Sequence, residues 1–73
     1  MRMNDLLREA AMSVVETARE AGLSHSTVSK MVNGKLVSEL SARKVLRVLS
    51  QRIGRTIQLS DVEELQLLDK IDK

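Results

Sequence analysis

The sequence predicts an all-α fold, a compact bundle of four to five helices, and three observations lead there. Of the 73 residues, 42% are hydrophobic, drawn wholly from Ala, Val, Ile, Leu and Met with no aromatic side chain. Such a composition suits helices packed through Leu and Val. Proline is absent, and apolar residues recur at spacings of three and four, the period of one helix face. Serine, asparagine and glycine fall between these periodic stretches, where helix ends need them. The length allows a single domain, residues 1–73, with a core of marginal size.

Asn4 is a candidate N-cap for a first helix from Asp5 to about Met12, with Leu6, Leu7, Ala10 and Ala11 as its apolar stripe. Ser13 and Glu16 have the spacing of a capping box and open a second helix that turns Val14, Val15, Ala18 and Ala21 inward. It ends at Gly22, which adopts the left-handed C-terminal conformation without a Cβ clash. Ser24 caps a third helix from His25 to about Val32, closed by the turn pair Asn33-Gly34. Ser38 opens the longest helix, in which Ala42, Val45, Leu46, Leu49 and Ile53 form an apolar face while Arg43, Lys44, Arg47 and Gln51 point elsewhere; Gly54 closes it. Arg55 to Leu59 alternates weakly and reads as an extended link or one short strand. A second capping box, Ser60 with Glu63, starts a last helix with Val62, Leu65, Leu68 and Ile71 on one side.

Composition narrows the function classes. The chain has no cysteine, hence no disulfide, thiolate nucleophile or Cys-based zinc site, and a reducing cytoplasm is the expected compartment. Apolar runs reach three residues at most, far short of the roughly 20 needed to span a bilayer, and no signal-like run follows the start. One histidine stands without an obvious base, acid or oxyanion partner, so no enzyme, cofactor or small-molecule substrate is expected. Asp61, Glu63 and Glu64 suit a helix start better than a calcium loop, so no metal is expected either.

The net charge of +2 hides an uneven distribution. Residues 1–23 hold three basic and four acidic side chains (−1), residues 24–60 hold seven basic and one acidic (+6), and residues 61–73 hold two basic and five acidic (−3). A basic middle is the footprint of a polyanion binder, because neutralised phosphates release condensed counterions.

The segment 14–33 carries the most detailed pattern. Ala18 stands four residues before Gly22, where two steeply crossing helices leave room for little more than a methyl group; Leu23 plugs the space below, and Val28 and Met31 lie on the inner side of the third helix. His25, Ser26, Ser29 and Lys30 are polar and lie on the outer side.

On these residues the chain resembles the helix-turn-helix of bacterial and phage repressors. The run from Ala21 to Asn33, followed by Val37-Ser38 and a helix rich in Ser, Ala, Arg, Lys and Val, is similar to the lac-repressor-type family. A whole helix before Ser13, the Asn33-Gly34 ending and no hinge after Arg55 resemble the lambda-repressor and Cro group instead. The resemblance covers about residues 4–54. It departs at Val14, where the lambda-like group often places a polar residue that braces the DNA backbone.

The resemblance implies a DNA-binding transcriptional regulator whose third helix enters the major groove, a repressor on a palindromic operator. The physics agrees: the groove admits one α-helix, and side chains at its N-terminal end reach base edges. His25, Ser26, Ser29 and Lys30 are therefore the expected base readers, with Lys30 and His25 carrying more specificity than the serines. Ser13, Ser24, Thr27, Asn33, Lys35, Arg43 and Lys44 are expected on phosphates, whereas Arg47 and Arg52 read as solvated charges. The partner is double-stranded DNA. A homodimer is expected, because a twofold pair reads half-sites about 34 Å apart and one short chain offers few contacts. The acidic, amphipathic segment 55–73 is its candidate interface, through Ile57, Leu59, Leu65 and Leu68. Two other readings stay open: the DNA-binding module of a recombinase, transposase or partition protein, and an antitoxin-like protein-interaction module.

Overall fold

A computed structural model describes residues 1–63 and 65–68. In chain order it places α1 (Met3–Glu9), α2 (Val14–Ala21), α3 (His25–Val32), β1 (Leu36–Val37), α4 (Glu39–Ile53), a 3₁₀ turn (Leu59–Asp61) and β2 (Gln66–Leu67). The all-α bundle holds: the four helices supply most of the core, with Ala10, Met12, Val37, Ile57 and Val62 added from the segments between and after them, and α2 packs against both α3 and α4.

α1 starts two residues earlier than Asn4 predicts, with Arg2 as N-cap and the Asp5 carboxylate accepting from the Arg2 amide at 3.4 Å. It also stops short of Met12. The chain turns at Ala11, whose φ of 56° is left-handed, and the Met12 amide donates back to the Leu7 carbonyl at 3.0 Å. A non-glycine residue there costs about 1–2 kcal/mol. In return Met12 enters the core, only 6% exposed, and Ser13 is released to cap α2; Ala11, expected in the stripe, faces solvent.

The next three helix starts form as their serines predict. Ser13, Ser24 and Ser38 each accept a backbone amide three residues on. α2 ends at Gly22 with φ 72°, and the Leu23 amide donates to the Ala18 carbonyl at 2.9 Å. No atom lies within 4 Å of where a Cβ on Gly22 would sit, so the positive φ alone demands glycine. Within α2 the inward set differs from the expected one at two positions: Val15 is 51% exposed and Thr17 is fully buried. The Thr17 hydroxyl donates to the Ser13 carbonyl at 2.8 Å, which satisfies it inside the core.

The larger departure follows Gly54. Ile57 plugs the core at 5% exposure, its amide donating to Ser50 Oγ at 2.9 Å. The expected helix from Ser60 does not form among the described residues, and Ile71 lies outside them. Two of the three carboxylates expected at its start, Asp61 and Glu63, are engaged elsewhere. Asp61 accepts the Gln58 amide at 3.0 Å, and Glu63 binds the Met1 ammonium at 2.7 Å while its own amide donates to the Met1 carbonyl at 2.6 Å. β2 pairs with β1 in parallel, Leu36 opposite Gln66 and Val37 opposite Leu67. Val37 is buried beneath this two-stranded ladder and Leu36 faces out.

Candidate nucleic-acid interface

The α2–α3 corner is built from short-range chemistry. Serine caps fix both helix starts, Gly22 fixes the bend, and Ala18, 4% exposed, lies where the helices cross. Two further groups hold the corner that the sequence did not single out. Thr17 fastens the first turn of α2, and Arg52, read as a solvated charge, reaches from α4 to Glu20 at 3.2 Å and Glu16 at 3.7 Å. Their roles depend on distant packing and a contact 32 residues away, which no sequence window shows.

The corner gives α3 two unlike sides. Val28 and Met31 are 0% and 2% exposed and lock the helix to the core. His25, Ser26 and Lys30 project into solvent. Ser29 is half-buried and its hydroxyl accepts from Asn33 Nδ2 at 3.3 Å, so it is held closer to the helix than the other three. Ser24 and Thr27 lie at the helix start with their hydroxyls 2.9 Å apart, and Ser13 is exposed at the start of α2. Asn33 and Lys35 stand exposed on either side of Gly34, where the chain leaves α3.

Ion pairing sorts the basic middle of the chain. Arg43 is bound by Glu39 one turn earlier at 2.7 Å, Arg52 by the α2 acids and Arg55 by Glu9 at 3.0 Å. Exposed pairs of this kind are worth roughly 0.2–1 kcal/mol and exchange readily for a phosphate. Lys30, Lys35, Lys44 and Arg47 are exposed without an ion pair among the described residues. Lys44 and Arg47 line one shallow groove with Glu20 and Ala21, at the C-terminal end of α2.

The candidate dimer residues are placed less uniformly. Ile57 is buried in its own chain's core and has no surface to offer a partner, because the link after Gly54 folds inward instead of lying open. Leu59 and Leu65 are partly buried against that core, and Leu68 is 51% exposed. Among the described residues no group of three His, Asp or Glu side chains is placed to hold a metal, and no helix is long and apolar enough to cross a membrane. Comparison with protein families, curated proteins and solved structures finds no match to this chain.

Proposed function

We propose that this chain is a sequence-specific DNA-binding transcriptional regulator, a repressor that occupies a palindromic operator as a homodimer. The observation that carries the reading is the division of α3: an inner side sealed by Val28 and Met31, and an outer side presenting His25, Ser26 and Lys30 on a rigidly capped helix. A rigid helix with short polar side chains at its exposed N-terminal end suits the major groove, because the backbone can approach base edges closely.

In this reading Lys30 donates to guanine O6 and N7, and His25 and Ser26 pair with the bases one turn nearer the helix start. Ser29 contributes less, its hydroxyl being shared with Asn33. Ser13, Ser24, Thr27 and Asn33 offer uncharged phosphate contacts, Lys35 and Lys44 offer free charges, and Arg43 joins by exchanging Glu39 for a phosphate. For the twofold partner, Leu68 has the most surface to contribute among the expected interface residues. Repression then follows from occupancy of a promoter.

An electrophoretic shift with DNA flanking the chain's own gene tests the proposal. Retardation that survives competitor DNA at moderate salt, and becomes less selective in Lys30→Ala, is expected. No selective retardation would refute it. Light scattering at micromolar concentration is expected to give twice the chain mass; a single-chain mass would remove the homodimer.

A further inference from the structure

A second candidate site lies past the C-terminal end of α3, beyond Lys30 in its last turn. An open, mainly polar cleft of ≈ 350 Å³ separates the start of α1 from the turn that follows α3. Asn4 and Arg8, one helical turn apart on α1, line one wall, and Asn33 and Gly34 line the other. Met3 and Met31, each 2% exposed, form part of its lining and anchor both walls to the core. Its walls are thus set by the packing of α1 against α3.

Two arginines and two carboxylates line the cleft and balance one another; the Met1 ammonium bound to Glu63, and Lys35 one residue beyond Gly34, leave its surroundings net positive. Arg8 is exposed with no ion pair among the described residues. Arg8 belongs to the part of the sequence with net charge −1, which is why charge counting along the chain gives no sign of it.

We infer that this cleft is a phosphate clamp for the DNA backbone, in which Arg8 supplies the charge and Asn4 and Asn33 supply amide donors to one phosphodiester flanking the bases that α3 reads. The inference rests on the DNA-binding reading above. The clamp joins α1 to the interface and contacts the strand where it leaves the recognition helix. It adds affinity without sequence preference, because a phosphate carries no base identity.

The test is a fluorescence anisotropy titration of the full chain with a mixed-sequence duplex of about 20 base pairs across a salt series. Arg8→Ala is expected to lower the slope of log K against log salt by about 0.9, the loss of one phosphate contact, and Arg8→Lys to restore most of it. Arg47→Ala, which removes the same charge outside the cleft, is expected to leave the slope unchanged. A wild-type slope that persists in Arg8→Ala overturns the clamp and leaves the DNA reading standing; absence of salt-dependent wild-type binding overturns both. An equal fall in Arg47→Ala marks an effect of charge number and overturns the clamp. Inorganic phosphate alone is expected to leave the Asn4 and Gly34 amide resonances unshifted at millimolar concentration. Saturable shifts there would make the cleft a free-anion site instead.

Discussion

The corner from Val14 to Asn33 and the segment from Gly54 to Leu68 are held by opposite kinds of information. In the corner, each helix start is fixed by a serine bonding an amide three residues away, and the bend by a glycine with φ 72°. In the later segment the decisive contacts reach far along the chain: Leu67 beside Val37, and Glu63 to Met1 at a separation of 62 residues. The corner is set by chemistry among near neighbours, whereas the later segment closes the fold across the length of the chain.

The largest expected effect comes from attacking the base of the corner. Met31→Ala should cost about 2–5 kcal/mol in urea denaturation, since Met31 is 2% exposed and sits between α3 and the rest of the core. The same truncation at Leu68, 51% exposed, should change stability within about 0.5 kcal/mol. Equal costs at the two sites would erase the distinction between the regions.

Next in size is the bend. Gly22→Ala is expected to cost about 1–2 kcal/mol purely through its left-handed backbone, as no neighbour obstructs the added methyl. An unchanged midpoint would show that the bend relaxes to another conformation. Ser13→Ala, which deletes an exposed cap, should cost about 1 kcal/mol and fray the first turn of α2, seen as faster amide exchange at Glu16.

These contrasts explain what was legible in the sequence. Ser13, Gly22, Ser24, Ser38 and Gly54 mark their helix ends where the structure has them, because capping is chemistry among near neighbours. The outward set His25, Ser26 and Lys30 follows from the same helix phase. Ser60 and Glu63 carry equally good spacing, yet no helix begins there among the described residues, since the Glu63 carboxylate pairs with an ammonium contributed by the other end of the chain. Ala11, Thr17 and Arg52 were illegible for the same reason: packing elsewhere decides what each does. The clamp residues Asn4 and Arg8 stayed hidden until α1 was placed beside the turn after α3.

The smallest expected effect is a pH response confined to the later segment. The Glu63 carboxyl is held below the ordinary value of 4.5 by its hydrogen bond to the Met1 ammonium and by that group's charge. A carboxyl lowered in the folded state adds stability that is full above its ordinary value and is lost as the pH falls below it. Amide exchange at Gln66 and Leu67 should therefore exceed the intrinsic pH trend as acidity rises past that point, while the Val28 and Met31 amides stay protected. Glu63→Gln should abolish the difference; a parallel rise in the corner would show that the two regions open together.

The central claim is that the exposed side of α3 reads DNA sequence, and selection of binding sites from a randomised duplex pool tests it most directly. The wild-type chain is expected to enrich an inverted repeat with half-site centres about one helical turn apart. Lys30→Ala is expected to lose preference at one base of each half-site while still retaining DNA. A wild-type pool that stays indistinguishable from its input after repeated rounds would contradict the account.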